Sequence, residues 1–266
     1  LKNPSCPGER NMWLRMRQIA GVAQKLKPVE DDLKDVLGID VCYRDPRIDT
    51  FGLENALFPI GNQFLEVVAP IQDNTAGGRY LDRRGGDSGY MVITQCDDHL
   101  PRRKRFAELG VRLVQDDTLS NELVYMQLHP RDTGGTFFEI DQQLGEGALD
   151  RDGPWHPAGP DWKASQRLDR VSGITAAEIQ CDDPEAVATK WAEIAEVDLD
   201  FSDGVFTLPM ENASLRFVPC TDGRPEGLGG IDLEVVDRDA ILEAADRRGN
   251  ISAENQVYLC GMRMNV

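Results

Sequence analysis

The sequence has few of the residues that mark several common protein classes. It contains only three histidines, at positions 99, 129 and 156, and six cysteines that stand singly without a CxxC pair. Neither a structural zinc site nor a disulfide framework is therefore indicated. Acidic residues outnumber basic ones by 46 to 29, and the net charge of −17 argues against nucleic acid as the main partner. No apolar run reaches the roughly 18 residues that a membrane span needs.

These absences also give expectations about the compartment. Single cysteines in a chain of 266 residues are typical of reduced, mostly buried thiols in a cytoplasmic protein. The first residues lack the basic-then-apolar pattern of a secretory signal. A content of 41% apolar residues is enough for a core and argues against global disorder. We therefore expect a cytoplasmic globular protein with neither a membrane nor a nucleic acid as its partner.

Two segments rich in Gly, Pro and Asp, 70–88 and 144–165, are typical of connections. The second is the better domain boundary, and its Trp155 and Trp162 suggest that it is tied to a surface. The predicted division is an N-terminal extension at 1–13, a first domain at 14–143, a linker at 144–167 and a second domain at 168–266.

The hydrophobic periodicity predicts a repeated order of one strand, one helix and three strands. In the first module the strand is 17–23, the helix is 28–37, and the later strands are 39–44, 53–60 and 63–69. In the second module the strand is 90–96, the helix is 100–109, and the later strands are 111–115, 123–128 and 136–141. A third module begins near Val171, with a helix at 184–195 and a last strand at 214–218. A shortened fourth has a strand at 230–236, a helix at 239–248 and a closing strand at 256–265.

Short motifs repeat with this order, since FLEV at 64–67 lies 73 residues before FFEI at 137–140. The pattern predicts an α+β fold in which duplicated βαβββ modules pair into curved mixed sheets.

The motifs resemble those of the vicinal oxygen chelate superfamily. GNQFLEVVAP at 61–70 is similar to its fourth-strand signature, and HPRDTGGTFFEI at 129–140 is similar to the stretch that ends in its last metal-binding strand. NTAGGRYLDRRGGDSGYMVI at 74–93 is similar to the connection between modules in methylmalonyl-CoA epimerase. The motifs cover about residues 14–142 and most resemble the epimerase and the glyoxalase-I-like proteins. The resemblance implies paired modules that form cup-shaped sheets.

The resemblance also implies a metal site, with its ligands at Gln18, Glu66, Met91 and Glu139. The family usually has histidine where this chain has Gln18 and Met91, and a thioether is a poor ligand for hard divalent ions. This leaves Gln18, Glu66 and Glu139 as oxygen donors that could hold one divalent metal, Mg, Mn, Co, Ni or Zn. The alternative is a site that has lost its metal and kept its cleft. We expect no nucleotide cofactor.

Glu66 and Glu139 stand among apolar residues at matched positions of the repeat. If both point into one cup, burial and mutual repulsion would raise the pKa of at least one carboxyl. That would provide an acid and a base near neutral pH, as proton transfer at carbon requires. The alternation of a strand could instead turn either side chain toward solvent.

Four further residues are candidates for contact with a substrate. They are Gln18 through its amide, Tyr90 through its hydroxyl, Met91 as an apolar wall and His129 through its ring. Each also has a plain structural interpretation: a satisfied polar residue for Gln18, a packed side chain for Tyr90 and Met91, and a turn residue for His129.

Two classes of function fit this pattern. The first is an isomerase, epimerase or lyase acting by proton transfer on a small carbonyl or carboxylate compound, which the two retained glutamates favour. The second is a non-catalytic protein of the sequestration or resistance type that binds a small molecule, which the loss of both histidines favours. An extradiol dioxygenase would need two histidines beside a carboxylate, so we disfavour it. The second half has Arg216 where the first two modules have Glu, and we expect it to be scaffold in a monomer or a homodimer.

Overall fold

The structure is a computed structural model that describes residues 12–119 and 121–266. Positions 1–11, most of the predicted N-terminal extension, lie outside the described residues. The strands of the first sheet are β1 (Leu14–Val22), β2 (Leu53–Ile60), β3 (Gln63–Pro70), β4 (Ser88–Cys96), β5 (Leu113–Leu119), β6 (Leu123–Leu128) and β7 (Phe137–Gln143). Those of the second are β8 (Val171–Cys181), β9 (Asp200–Ser202), β10 (Val205–Pro209), β11 (Ser214–Pro219), β12 (Gly227–Val235), β13 (Ile251–Ala253), β14 (Gln256–Leu259) and β15 (Met262–Asn265).

Helices connect these strands. The α-helices are α1 (Leu26–Leu37), α2 (Ala76–Arg84), α3 (His99–Glu108), α4 (Pro130–Thr133), α5 (Pro184–Ala195) and α6 (Arg238–Arg248). Short 3-10 helices are found at Pro46–Phe51, His156–Ala158 and Trp162–Ser165. Among the described residues, none of the helices combines the length and apolarity that crossing a bilayer requires.

Each sheet is built from two modules around a central antiparallel pair of strands. In the first sheet the order is β2-β3-β1-β4-β7-β6-β5, with β1 antiparallel to β4 and with β3 and β7 parallel to their inner neighbours. The second sheet has the order β13-β14-β15-β12-β8-β11-β10-β9, with β8 and β12 at its centre. The predicted α+β fold of paired βαβββ modules is confirmed.

The two faces of each sheet differ in what they contact. On β7 the side chains of Phe138 and Ile140 belong to the main apolar core, so the alternation of the strand turns Glu139 to the opposite face. The core also joins the two halves of the chain. The ring of Phe138 stacks on Trp191 of α5 at 4.1 Å, and Trp191 Nε1 donates to the Thr133 carbonyl at 3.2 Å.

The structure differs from the sequence prediction at residues 39–44, 70–88 and 256–265. The predicted strand at 39–44 is reduced to a single bridge between Tyr43 and Leu57, shortly before Pro46 starts a 3-10 helix. The segment at 70–88, predicted as a connection, contains α2. Glycines are poor helix formers, so the sequence carries no helix signal here. Thr75 caps that helix through a bond from the Gly78 N–H at 2.9 Å.

The predicted closing strand is a hairpin of β14 and β15. Cys260 and Gly261 form its tight turn with φ values of 50° and 66°, and the single predicted strand therefore folds back on itself. The predicted ends of two helices were correct, because Gly38 and Gly249 adopt left-handed conformations directly after α1 and α6.

Candidate active site

The face of the first sheet that points away from the main core carries the candidate residues, and we call this face the first cup. Gln18 on β1 is paired in register with Phe64 of β3 on one side and with Ile93 of β4 on the other. Glu139 on β7 is in register with the same Ile93. Glu66 on β3 and Glu139 therefore lie on opposite sides of the central β1–β4 pair. Each is only 8% exposed.

Amide groups hold the carboxyl of Glu66. Gln18 Nε2 donates to its Oε2 at 2.7 Å, and Asn55 Nδ2 donates to its Oε1 at 2.7 Å. The Gln18 Oε1 in turn accepts a bond from Trp155 Nε1 at 2.7 Å. An indole N–H can only donate, so it fixes which end of the Gln18 amide faces Glu66.

The carboxyl of Glu139 is in a different environment. Burial raises its pKa to about 7, a hydrogen bond with the side chain of Asp141 opposes that rise, and the charge of Glu66 adds to it. Asp141 lies two residues along β7 on the same face and is fully buried, and burial together with the charge of Glu139 raises its own pKa. Burial also raises the pKa of Glu66, against the bonds from Asn55 and Gln18. One face of the first sheet therefore carries three carboxyls that resist ionisation, with Glu139 and Asp141 on β7 and Glu66 across the β1–β4 pair.

Apolar side chains line the first cup on two sides. On one side Trp155, Ala158 and Trp162 pack on Phe64 and Ile93, so the segment that joins the halves covers this part of the sheet. On the other side the covering residues come mainly from α2 and β4, and they are Tyr80, Leu81 and Tyr90.

The accessible edge of the first cup carries hydrogen-bond donors. Tyr125 of β6 is half-buried, and burial raises its pKa to about 12, so its hydroxyl keeps its proton at neutral pH. The exposed Arg47 interacts electrostatically with Tyr125. Its guanidinium donates two hydrogen bonds to the carboxylate of Asp45. His156 lies near the same edge, where its ring contacts Glu122 at 3.2 Å.

The other predicted contact residues have mixed positions. Met91 is partly exposed and touches both apolar walls, as a pocket residue would. Tyr90 is buried, its ring packs on Tyr80 and Phe137, and burial raises its pKa to about 12. The ring of His129 is engaged elsewhere, because its Nδ1 caps α4 by accepting from the Arg131 N–H at 3.2 Å.

Comparison with known proteins agrees with this architecture. A hypothetical protein from Staphylococcus aureus is similar over 94% of this chain and 98% of its own, with a TM-score of 0.63 and 12% identity. Methylmalonyl-CoA epimerase from Mycobacterium tuberculosis covers 49% of this chain and 89% of its own, with a TM-score of 0.43 and 21% identity. A methylmalonyl-CoA epimerase in complex with methylmalonyl-CoA and NH4+ covers 53% of this chain and 99% of its own, with a TM-score of 0.45 and 17% identity.

No protein-family model matches the sequence, and no curated protein does so either. At these identities the likeness concerns the fold. The chain has the vicinal oxygen chelate fold. The resemblance predicted from the sequence motifs is confirmed at that level.

A metal ion, as this fold often binds, does not fit the predicted ligands in this arrangement. Gln18 turns its N–H group, not its carbonyl oxygen, toward Glu66, and the two side chains are bonded directly. Its carbonyl oxygen is taken by Trp155. Within the described part of the chain, no three His, Cys, Asp or Glu side chains are grouped as metal ligands. A carboxyl bonded by two amides therefore lies where the motif resemblance predicted a metal ligand.

Sequence reasoning placed none of three further residues at this site, although it did expect Trp155 to tie its segment to a surface. Asn55 and Trp155 lie on a strand and a loop without any motif, and only the fold brings them to Glu66 and Gln18. Asp141 could have been found, because it stands two residues after Glu139 on a predicted strand and so shares its face.

Proposed function

We propose that this protein is an enzyme that transfers a proton at the carbon next to a carbonyl group in a small carbonyl or carboxylate compound. The reaction would be an isomerisation, an epimerisation or a lyase step. Glu139 and Glu66 are the acid and base groups, and no step in the proposal depends on a metal.

The observation that carries the proposal is the pair of buried carboxyls on one face. Neither Glu66 nor Glu139 has an ion pair with a basic side chain among the residues at 12–119 and 121–266. The pKa of Glu139 is raised to about 7, which suits a group that must both accept and release a proton at neutral pH. Uncompensated buried charge lowers stability, so its presence favours a functional role.

The roles follow from the surroundings of each group. Glu139 in its ionised form accepts the proton from carbon. Glu66, in its protonated form on the other side of the first cup, returns a proton to that carbon. The amides of Gln18 and Asn55 keep Glu66 in one orientation. The Tyr125 hydroxyl and the exposed Arg47 guanidinium offer donors to the substrate oxygen that gains charge, and Met91 and Phe137 form an apolar contact surface.

Exchange of a carbon-bound proton with solvent tests the proposal without knowledge of the product. The protein is incubated in D2O with a panel of small α-hydroxy ketones, 2-oxo acids and 2-substituted malonates, and proton NMR follows the signal next to the carbonyl. We expect at least one compound to lose this signal with wild-type protein and to keep it with Glu139→Gln and with Glu66→Gln.

Glu54→Gln is the matched control, since Glu54 is an exposed glutamate on β2, the strand beside Glu66. It should exchange the same compound at the wild-type rate. Equal exchange by wild type and by Glu139→Gln would refute the proposed role of Glu139.

A binding protein without catalysis is the second candidate. The observation that favours it is the tight cover over the first cup, where Trp155 and Trp162 are buried and both polar atoms of Gln18 are hydrogen-bonded within the protein. In that case a compound from the panel would bind in calorimetry, while none would exchange its proton with solvent.

A further inference from the structure

The segment that joins the two halves crosses the first cup, and we call residues 148–162 the strap. Side chains of the sheet hold its backbone. Arg17 donates to the carbonyls of Arg151 and Gly153 at 2.9 and 3.3 Å, and Gln95 Nε2 donates to the carbonyl of Ala148 at 2.7 Å. The strap is therefore fastened along its first part to β1 and β4.

This fastening gives Trp155 a defined place. Its side chain is 1% exposed and stacks on Phe64 with 12° between the ring planes and 6.4 Å between centroids. The guanidinium of Arg17 lies 5.1 Å from the centroid of the indole. The indole N–H points at Gln18 Oε1 from a direction that packing and the strap determine together.

The direction of this bond decides what Gln18 can offer to Glu66. If the Gln18 amide turned over, its oxygen would meet a carboxylate oxygen of Glu66, and its NH2 group would meet the indole N–H. The amide NH2 and the indole N–H would then be two donors facing each other, which is repulsive whatever the protonation state of Glu66, and the two oxygens would also repel each other when Glu66 is ionised. An ion between Gln18 and Glu66 would require that turned-over state.

We propose that Trp155 is a positioning residue of this site: its indole N–H holds Gln18 as a hydrogen-bond donor to Glu66 and thereby excludes a divalent metal from the position between them. In place of the metal ion of the family, the strap provides a buried chain of hydrogen bonds. The chain runs from the indole of Trp155 to the amide of Gln18 and on to the carboxyl of Glu66. Asn55 completes this arrangement from β2, because its amide bonds the other oxygen of Glu66.

The inference rests on the proposed function only in treating Glu66 as a group that works in the reaction. Its test needs no turnover, so its failure would leave the proton-transfer proposal standing. In 15N-labelled protein, the side-chain NH2 signals of Gln18 are assigned by their loss in Gln18→Leu. Their hydrogen exchange is then measured, followed by a titration with Mn2+ alone, which broadens signals close to the bound ion.

We expect the wild-type Gln18 signals to exchange slowly and to show no selective broadening by Mn2+. Trp155→Phe keeps an aromatic ring against Phe64 and removes the indole donor together with part of the ring, a loss of volume that the Trp162→Phe control shares. In this variant the Gln18 signals should exchange faster, and Mn2+ should bind beside Glu66 at least about tenfold more tightly than in wild type. Adding Glu66→Gln should abolish that binding.

Trp162→Phe is the matched control, because Trp162 is also buried and its ring also packs on Phe64, at 5.1 Å. It should behave like wild type in both measurements. Selective broadening of the Gln18 signals by Mn2+ in wild-type protein would overturn the inference, whether or not the variant folds. Unchanged Gln18 exchange in Trp155→Phe would overturn it as well.

Discussion

The two sheets share one architecture and differ in how their open faces handle charge. In the first cup Glu66 of β3 is in register with Ala20 of β1, whereas the corresponding strand of the second sheet, β11, holds Arg216 in register with Glu178 of β8. Arg216 Nη2 donates to Asp232 Oδ1 at 2.9 Å, and Arg263 forms an ion pair with Glu178. We call this face of the second sheet, with Glu178, Arg216, Asp232 and Arg263, the second cup.

Burial separates the two faces further. The side chains of Arg216 and Asp232 are 27% and 25% exposed, while Glu139 is 8% exposed as a residue. Charges that are paired and partly hydrated lower the free energy of unfolding little, so a fold can carry them as structural contacts. Unpaired buried carboxyls lower stability, and selection retains such groups where chemistry needs them. The difference in burial and pairing therefore supports the proposal that the first cup is the reactive one and that the second cup is structural.

The largest expected effect is on proton exchange. Glu139→Gln should reduce the exchange rate of an accepted compound by at least about a hundredfold, the usual contribution of a general acid or base. The equivalent change in the second cup, Arg216→Gln, should alter the rate by less than about twofold. Both rates are read from the same D2O assay, and a comparable loss in Arg216→Gln would mean that the reactive site is not confined to the first cup.

The next effect concerns stability as a function of pH. Between pH 4.5 and about 7 the folded protein keeps a proton on Glu139 that the unfolded chain releases, so rising pH favours unfolding over this range. Glu139→Gln avoids this loss. Its free energy of unfolding should match that of wild type near pH 4 and exceed it by up to about 3 kcal/mol above pH 7.

Urea unfolding at several pH values measures this difference. The control is Glu54→Gln, which should follow wild type at every pH. A constant difference between Glu139→Gln and wild type from pH 4 to pH 8 would contradict the raised pKa of Glu139.

Much of this difference between the cups was readable from the sequence. The two glutamates are 73 residues apart in matched apolar strands, and the duplicated fold predicts that they share one face. Arg216 was also identified as a departure from that pattern. Period-two alternation and repetition are local signals, so they survive without knowledge of tertiary contacts.

The parts that escaped prediction depend on long-range contacts. Trp155 meets Gln18 across 137 positions of the chain, and Asn55 meets Glu66 from a neighbouring strand. Helix α2 was hidden by Gly77 and Gly78, which lower helix propensity, and the burial of Tyr80 and Leu81 against β-strands stabilises it instead. A Cβ on Gly77 would lie 3.2 Å from Leu53, which suits a glycine at that close approach.

In the second cup, removal of a charge should destabilise the fold. Arg216→Leu leaves Asp232 without its main cationic partner, and we expect a loss of about 1–3 kcal/mol in the free energy of unfolding at pH 7. The double variant Arg216→Leu with Asp232→Leu should recover most of this loss, because no unpaired charge remains. Chemical denaturation of wild type, the two single variants and the double variant measures the coupling, and a stabilising Arg216→Leu would contradict the structural role expected of this pair.

The smallest effect is expected at the second ion pair of the same cup. Arg263 donates one bond to Glu178, whereas Arg216 donates to both carboxylate oxygens of Asp232. The side chains of Arg263 and Glu178 are 25% and 20% exposed, so dissolved ions also reach this pair. Arg263→Gln should lower the free energy of unfolding by less than about 1 kcal/mol. In 1 M salt the difference from wild type should shrink further, because the screening length falls to about 3 Å.

The same salt series sharpens the contrast with the first cup. The stabilisation expected for Glu139→Gln at pH 8 has burial as its largest cause, and screening by dissolved ions acts weakly on a desolvated group. It should therefore persist in 1 M salt while the Arg263→Gln difference fades. If both differences faded to the same extent, the carboxyls of the first cup would be as hydrated as the ion pairs of the second, and the division of roles between the cups would fail.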